Sequence, residues 1–261
     1  MKLAVTGKGG VGKTTFTALI CTALAGAGYD VFAIDADPNA TLLGCLGHPA
    51  PETVEPLVKL ADLIEERTGA RPGSSGGMFR MNPFVDDIPA NYAQTVNGVR
   101  VLVAGAVKTG GSGCYCPENA MVRALVSHLL LEKNVALVVD MEAGIEHLSR
   151  GTIDSVDQLV IVTEPSRASV ETVKRIRRLA ADLRLPRVVG VGNRIRSAAD
   201  EQFLRSALPD LEFAGFIPYD ERLSEAERSG RSPAGASPAV DAAVERVVRL
   251  FAERCNTMPS Q

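Results

Sequence analysis

Residues 7–14 read Gly7-Lys8-Gly9-Gly10-Val11-Gly12-Lys13-Thr14, which matches every position of the pattern G-x-x-x-x-G-K-[ST]. An apolar run at Lys2–Thr6 predicts a strand before it, and a helical pattern begins at Lys13. Glycines allow backbone N–H groups to turn onto phosphate oxygens, and a helix N-terminus adds partial positive charge. The sequence therefore predicts a nucleotide site at the end of the first strand.

Residue types within this loop predict separate roles. Lys13 is expected to reach the β- and γ-phosphates, and the Thr14 hydroxyl is expected to bind Mg²⁺. A glycine-rich turn that only brings helix and strand together is the alternative, and the complete match argues against it. The residues expected to surround the phosphates are Gly9, Gly10, Val11, Gly12, Lys13, Thr14 and Thr15.

The rest of the chain alternates short β-branched runs with longer amphipathic stretches. Runs that are apolar at consecutive positions, such as 135–139 and 159–162, indicate strands buried on both faces of a parallel sheet. The alternation predicts a single α/β domain over residues 1–261, with a doubly wound, mostly parallel sheet of about seven strands and helices on both faces. The predicted strands are Lys2–Thr6, Val31–Asp35, Val99–Gly105, Val135–Asp140, Gln158–Thr163, Arg187–Asn193 and Glu212–Ile217, and the predicted helices are Lys13–Ala27, Glu55–Arg67, Glu118–Glu132, Ser169–Leu183, Ala198–Leu208 and Pro238–Arg254.

Composition excludes several classes of protein. The 261 residues are 46% hydrophobic and 23% charged, which excludes disordered, collagen-like and coiled-coil chains. A net charge of −3 argues against a nucleic-acid partner, and no apolar run approaches the roughly 18 residues of a membrane span. Five cysteines, odd in number and unevenly spread, do not form a secreted disulfide pattern, so we expect a cytoplasmic protein.

Two segments interrupt the alternation. Residues 68–98 are rich in proline and glycine and predict a long inserted loop, and a loop of that length is usually functional or disordered. Residues 108–117 contain Cys114-Tyr115-Cys116 between a predicted strand and a predicted helix. The glycine and proline that flank this pair argue against burial, so two exposed thiols need a chemical reason.

The cysteine pair predicts a metal site. Redox pairs normally have the spacing C-x-x-C, whereas this pair is C-x-C. One chain supplies two thiolates, and a two-fold dimer would supply Cys114 and Cys116 twice, which completes a four-sulfur set. Such a set fits Zn²⁺, Ni²⁺ or an iron–sulfur cluster, and the number of ligands does not decide among them.

Lys8 adds a second lysine to the phosphate loop and matches the deviant Walker A motif K-G-G-x-G-K-[ST]. The loop thereby resembles that of the MinD/ParA/nitrogenase-iron-protein superfamily of dimeric ATPases. The resemblance implies that ATP is the nucleotide and that Lys8 reaches across a dimer interface to the phosphates of the partner. A positive charge placed there offsets the negative charge of the transition state, as an arginine finger does.

The same resemblance assigns further residues at strand ends. Asp37, in the first switch, is implied to orient or deprotonate the attacking water, and Asp35 is expected to be structural or to lie in the outer shell of Mg²⁺. Asp140 is implied to hold Mg²⁺ through water, and Gly144 is implied to lie near the γ-phosphate in the second switch. The residues implied to contact the adenine base are Asn193, Pro218 and Tyr219.

Three longer segments, 76–89, 110–120 and 140–148, are similar to the carbon monoxide dehydrogenase maturation ATPases of the CooC type. This resemblance implies an ATP-dependent factor that inserts Ni²⁺ into the nickel–iron–sulfur cluster of carbon monoxide dehydrogenase, or of acetyl-CoA synthase. It implies a homodimer when ATP or metal is bound, the carbon monoxide dehydrogenase apoprotein as partner, and Ni²⁺ on Cys114 and Cys116, with Zn²⁺ possible in the same site.

Three other functions are compatible with the motifs. An ATP-dependent reductase would carry an iron–sulfur cluster, but such reductases have a cysteine in the second switch about where this chain has His147. A lone histidine there is more often structural than a metal ligand. A MinD/ParA-like positioning ATPase would bind membrane or DNA, and a zinc-stabilised structural dimer would keep its metal whatever nucleotide is bound.

Overall fold

The central sheet has eight strands among the residues that the structure describes. The structure is a computed structural model, and it describes residues 1–73, 78–105, 116–131, 135–142, 156–183, 185 and 187–256. The strand order is β3-β4-β2-β5-β1-β6-β7-β8, and every neighbouring pair is parallel except β3 and β4. The strands are β1 (Lys2–Gly7), β2 (Val31–Ala36), β3 (Gln94–Val96), β4 (Val99–Val103), β5 (Ala136–Met141), β6 (Gln158–Thr163), β7 (Val188–Ile195) and β8 (Glu212–Pro218).

Helices cover both faces of this sheet, as the sequence predicts. Leu3 and Val5 of β1 pack in one layer with Phe16 and Phe251, whereas Ala4 packs in the opposite layer. This alternation follows from the two-residue period of a strand, and apolar side chains on both faces bury the sheet completely. The described helices are α1 (Lys13–Gly26), α2 (Leu42–Cys45), α3 (Ala61–Thr68), α4 (Ile88–Tyr92), α5 (Pro117–Leu131), α6 (Arg167–Asp182), α7 (Ala198–Ala207), α8 (Glu221–Arg228) and α9 (Pro238–Asn256).

The expected count of about seven strands is one too low, and the predicted loop at 68–98 contains regular structure. It holds α4 and the short edge strand β3, which pairs antiparallel with β4. The turn between β3 and β4 is Asn97-Gly98, with φ of 50° and 78°. Two residues with positive φ form the tight turn that suits the twist of a hairpin, and Asn-Gly is the dipeptide that most favours it.

The predicted helix at Glu55–Arg67 forms only in its second half, as α3. A 3₁₀ turn at Leu57–Lys59 precedes it, and the Val58 N–H donates to the Ala104 carbonyl oxygen at 3.2 Å. That hydrogen bond fixes the chain against the end of β4, so a tertiary contact overrides the local helical pattern.

The parallel strands end at one edge of the sheet, and the residues of the predicted nucleotide site lie there. The phosphate loop follows β1, Asp35 and Asp37 lie at the end of β2, and Asp140 lies near the end of β5. Ligands of open α/β sheets bind outside these carboxyl ends. In the described part of the chain, no helix combines the length and the apolar character that crossing a membrane requires.

Candidate active site

The phosphate loop ends in an uncapped helix N-terminus. Gly12 precedes α1 with φ of 88°, and no side chain caps the first turn, so its N–H groups stay available for a phosphate. The Asn193 Nδ2 donates to the Val11 carbonyl oxygen at 2.8 Å. A Cβ at position 12 would lie 2.5 Å from this Nδ2, so glycine is needed both for the positive φ and for the close approach of Asn193.

Two carboxylates lie side by side behind the loop. Asp35 of β2 pairs in register with Asp140 of β5, and both are almost completely buried. The Thr17 hydroxyl donates to the Asp140 Oδ1 at 3.2 Å, and the nearby Thr14 hydroxyl helps to lower the pKa of the same carboxylate. The Asp140 Oδ2 has no hydrogen-bond partner among the described residues. A buried, unpaired carboxylate oxygen next to the Thr14 hydroxyl is the hard-oxygen environment that Mg²⁺ prefers, so the residues present fit this ion.

Burial governs the protonation of these carboxylates. Burial, and then the neighbouring Asp35, raises the pKa of Asp140 to about 7, while the Thr14 and Thr17 hydroxyls and the Lys13 ammonium oppose the rise. Burial likewise raises the pKa of Asp35 to about 6, against hydrogen bonds from the Leu42 and Asp37 N–H groups. A cation bound at this position would oppose the rise in both pKa values, because its positive charge stabilises the ionised carboxylates.

Replacing Asp140 by asparagine is expected to stabilise the metal-free protein at pH 8 by about 1–3 kcal/mol. The pKa of Asp140 is 3.8 when unperturbed and about 7 in the folded chain, so the folded state holds the extra proton between these values. The stability that this proton contributes is complete below about pH 4 and is lost as the pH rises through about 7. Asparagine stays neutral and avoids the loss. Urea denaturation in the presence of EDTA, at pH 5 and at pH 8, measures the free energy of unfolding of the wild type and of the variant.

Asp62→Asn is the control for this comparison, because the Asp62 side chain is 96% exposed and its removal is expected to change stability by less than about 0.5 kcal/mol. If Asp140→Asn stabilises the protein equally at pH 5 and pH 8, the gain in stability does not come from the ionisation of Asp140.

Asp35 fixes the segment that follows β2 to the sheet. Its Oδ2 accepts from the Leu42 N–H at 2.8 Å, and its Oδ1 accepts from the Asp37 N–H at 3.2 Å. These hydrogen bonds give Asp35 a structural contact, and its expected place in the outer shell of Mg²⁺ stays a prediction. Asp37 is only partly buried, and its Oδ1 accepts from the Asn39 N–H at 2.9 Å. Asp37 follows β2 at the carboxyl edge of the sheet, and its expected role toward water stays a prediction.

A small cavity lies beside the loop where the base is expected. Asn193, Pro218 and Tyr219 all line it, so the structure brings the three predicted residues together. The Tyr219 N–H donates to the Ile195 carbonyl oxygen at 2.9 Å and is therefore already occupied within the fold. The Arg196 guanidinium lies 3.6 Å from the centre of the Tyr219 ring, which fixes the ring at the mouth of the cavity.

Glu227 is a site residue that sequence reasoning missed. It lines this cavity and also a larger one of about 440 Å³, and Thr15 and Leu223 are likewise shared by both. Glu227 therefore lies between the base cavity and the larger cavity. Nothing in the local sequence separates it from the other acidic residues of α8, so only the packing of that helix reveals it.

The two lysines of the loop have different surroundings. The Lys13 side chain is buried within the loop, whereas Gly9 and Gly10 are exposed beside it. The Lys8 Nζ lies at the surface and donates to the Gly9 carbonyl oxygen at 3.4 Å. Its expected contact with the phosphates of a partner remains a prediction.

The predicted metal site is described only in part. Cys116 is half-buried and directly precedes α5, whereas Cys114, Gly144 and His147 lie outside the described residues. Within the described ranges, no group of three or more His, Cys, Asp and Glu side chains is placed to hold a metal ion.

Comparisons with known proteins agree with this arrangement. Residues 2–234 match the family model described as the CobQ/CobB/MinD/ParA nucleotide binding domain. The chain is 41% identical over 256 residues to the carbon monoxide dehydrogenase accessory protein CooC of Rhodospirillum rubrum, covering 97% of both chains. It is 38% identical over 260 residues to an uncharacterised ATP-binding protein of Methanocaldococcus jannaschii, covering 98% of this chain and 100% of that one.

Solved structures show the same fold. The septum site-determining protein MinD of Pyrococcus horikoshii, complexed with Mg-ADP, superimposes with a TM-score of 0.67 at 18% identity and covers 95% of this chain and 94% of its own. The fold, the phosphate loop and the sequence matches lead to one conclusion. The chain is a P-loop protein of the CobQ/CobB/MinD/ParA nucleotide-binding family and, within it, belongs to the family of the carbon monoxide dehydrogenase accessory protein CooC.

Proposed function

We propose that this chain is a homodimeric ATPase that hydrolyses ATP to deliver nickel to the nickel–iron–sulfur cluster of carbon monoxide dehydrogenase, or of the related acetyl-CoA synthase. One observation carries the proposal: the phosphate site and a cysteine pair that ends at the start of α5 occur in a chain that is 41% identical to CooC over nearly its full length. The single domain and its nickel-bearing thiols are expected in the cytoplasm, where thiols stay reduced.

The described residues divide the work of hydrolysis. The loop N–H groups and Lys13 bind the phosphates, and Thr14 and Asp140 are the residues that would hold Mg²⁺. Bound Mg²⁺ would supply a positive charge that offsets the negative charges of the buried carboxylates and of the phosphates. Asp37 orients the attacking water. Asp35 holds Asp37 in position, because it accepts hydrogen bonds from the backbone of the same switch.

The second copy completes both sites in the proposed cycle. ATP brings two subunits together through Lys8 of each, and the two pairs of Cys114 and Cys116 then supply four thiolates to one nickel ion. Hydrolysis removes the γ-phosphate contacts that hold the switch containing Gly144, so the dimer opens. Each subunit then offers two thiolates instead of four, and the nickel becomes transferable to the apoprotein. Neither nucleic acid nor membrane takes part.

Activation of a nickel-free enzyme tests this function. Nickel-free carbon monoxide dehydrogenase is incubated with the chain, Ni²⁺ and either ATP or a non-hydrolysable ATP analogue, and carbon monoxide oxidation is then measured. We expect activation with ATP and little with the analogue, because release requires hydrolysis. Activation that is equal with Ni²⁺ alone contradicts nickel delivery. Two observations on the purified protein distinguish the other functions. A zinc-stabilised dimer would keep its metal when ADP is bound, and an iron–sulfur reductase would be brown.

A further inference from the structure

Strand β7 contains an extra residue where it reaches the base cavity. Gly192 pairs with Phe216 of β8, and Ile195 pairs with Pro218, so β7 advances three residues while β8 advances two. This difference is a β-bulge, and Arg194 lies within it. Bulges are frequent beside active sites, where they redirect a side chain.

The bulge changes the faces of the sheet to which the residues of β7 belong. Gly192 faces the layer of α7, since a Cβ there would lie 3.2 Å from the Leu204 Cδ1. Strict alternation would place Ile195 on the opposite face, but Ile195 packs in the same core layer as Leu204. The two residues between them, Asn193 and Arg194, both line the base cavity. The bulge therefore brings two consecutive residues to this cavity.

Arg194 adopts a backbone conformation that is unfavourable for arginine. Its φ is 58°, which lies in the left-handed region that few residues other than glycine, asparagine and aspartate adopt. Asn97 also has a positive φ, but it belongs to a hairpin turn, whereas Arg194 lies within a strand. Strained backbone of this kind is concentrated at ligand sites, where the surrounding fold maintains it.

The Arg194 guanidinium is held in place on one side. Its Nη1 donates to the Glu164 Oε2 at 3.3 Å, and the Arg194 side chain is 50% exposed. The backbone N–H of Glu164 in turn donates to the Ser169 Oγ at 3.2 Å. The neighbouring Arg196 differs, because its guanidinium lies on the Tyr219 ring. Among the residues that the structure describes, no aromatic ring covers Arg194 in this way, so its planar face can receive a ligand.

We propose that Arg194 binds the nucleotide base by stacking its guanidinium on the face of the ring, an inference that rests on the proposed ATP hydrolysis. A planar cation is attracted to the electron-rich face of an aromatic ring, and a guanidinium can stack while it keeps its hydrogen bonds. Asn193 lines the same cavity, and its Nδ2 is already bonded to the Val11 carbonyl oxygen. Asn193 then offers its Oδ1 to the edge of the base, while Arg194 covers a face.

Two other roles for Arg194 make different predictions. A surface ion pair with Glu164 would contribute little to stability and would need neither the bulge nor a strained backbone. A guanidinium that attracts the phosphates instead of the base would bind a triphosphate whether or not a base is attached. Ligands with and without a base therefore distinguish stacking from both alternatives.

Isothermal titration calorimetry of the full chain with Mg²⁺ tests the proposal, with ATP and inorganic triphosphate as the two ligands. Arg194→Ala is expected to raise the Kd for ATP about tenfold and to leave the Kd for triphosphate within about twofold, because triphosphate has no base. Arg194→Lys keeps the charge but loses the plane, so it should still raise the Kd for ATP about fivefold. Arg187→Ala is the matched control, because it removes an exposed arginine that directly precedes β7 at the other end of the strand. Both of its Kd values are expected to equal those of the wild type.

Arg194→Gly separates the side chain from the backbone. Glycine adopts a positive φ without strain, so this variant is expected to unfold at a higher urea concentration than Arg194→Ala. It should nevertheless bind ATP as weakly as Arg194→Ala, because both lack the guanidinium. If Arg194→Gly binds ATP with the wild-type Kd, the backbone of the bulge is sufficient and the guanidinium does not contact the base.

Each other outcome overturns the stacking contact. An equal rise of the Kd for ATP and for triphosphate in Arg194→Ala shows that the guanidinium acts on the phosphates, and full recovery in Arg194→Lys shows that charge alone is sufficient. Should Arg194→Ala not fold, Arg194→Gly and Arg194→Lys give the same comparison between the two ligands.

Activation of nickel-free carbon monoxide dehydrogenase separates this inference from the proposed function. Arg194→Ala is expected to activate the enzyme like the wild type when ATP is saturating, because only the affinity for ATP is lowered. If the wild type activates the enzyme but Arg194→Ala binds ATP with the wild-type Kd, the base contact is wrong while nickel delivery stands. A wild-type chain that binds no ATP contradicts both.

Discussion

Replacing Lys8 by alanine is expected to lower the rate of ATP hydrolysis by about 10³-fold, while ATP binds within about threefold of the wild-type affinity. The Lys8 Nζ lies at the surface and contacts the Gly9 carbonyl oxygen, so it contributes little to nucleotide binding within its own chain. Lys13 is buried in the loop, and we expect it to bind the phosphates with or without a partner. An ammonium that arrives only with the partner acts on the transition state, so its loss lowers kcat and leaves the Kd for ATP almost unchanged.

A mixture of two inactive variants shows whether Lys8 acts across the dimer. Lys8→Ala and Asp37→Asn are mixed in equal amounts, and phosphate release is measured with ATP and Ni²⁺. In a mixed dimer, the nucleotide site of the Lys8→Ala subunit has its own Asp37 and receives Lys8 from the other subunit. Half of the dimers are mixed and one of their two sites works, so the mixture should regain about a quarter of the wild-type rate.

The separate proteins are the controls for this mixture, because each alone is expected to stay inactive. No regain on mixing means that Lys8 acts within its own site or that the residue has no part in hydrolysis. Lys13→Ala gives the contrast: it should lose ATP binding itself, and mixing it with Asp37→Asn should restore nothing, since the subunit that keeps Asp37 cannot hold ATP.

The phosphate loop and the order of strands and helices could be predicted because they depend on short-range signals. Glycine spacing fixes the loop at residues 7–14, and continuous apolar runs identify the buried strands. The edge strand β3 also had a local signal, the Asn97-Gly98 turn, which the density of proline and glycine in 68–98 concealed. The Asn-Gly dipeptide is typical of a β-hairpin turn, so it is the local pattern that indicates the eighth strand.

Other features depend on contacts that no local pattern contains. The pairing of Asp35 with Asp140 requires β2 and β5 to be neighbours, although about a hundred residues separate them along the chain. The shortened helix α3 depends on the hydrogen bond from Val58 to Ala104, and Glu118 holds Gly73 from a distant position. The sequence therefore predicts which groups carry the chemistry, while the neighbours that position them are set by the tertiary fold.

Replacing Cys114 and Cys116 together by serine is expected to weaken nickel binding at least about 10³-fold and to leave ATP affinity within about threefold of the wild type. Both thiolates of each half-site are lost, and serine hydroxyls are poor ligands for a metal that prefers soft or imidazole donors. ATP affinity should persist, because the phosphate loop follows β1 whereas Cys116 precedes α5. Equilibrium dialysis with metal analysis measures nickel per chain, and size-exclusion chromatography with light scattering measures the dimer, each with ADP and with ATP.

Single variants separate a shared site from a nonspecific thiol. Cys116 and Cys255 are both half-buried cysteines, so Cys255→Ser removes a comparable thiol from α9 and is expected to bind nickel like the wild type. Cys116→Ser leaves one thiolate per subunit and should bind only weakly, because two sulfurs in place of four cannot complete the set. Nickel that still binds at one ion per dimer in the double variant contradicts the cysteine site. Nickel that binds to wild-type protein at the same ratio with ADP as with ATP contradicts the coupling, because closure of the two half-sites is then independent of the γ-phosphate.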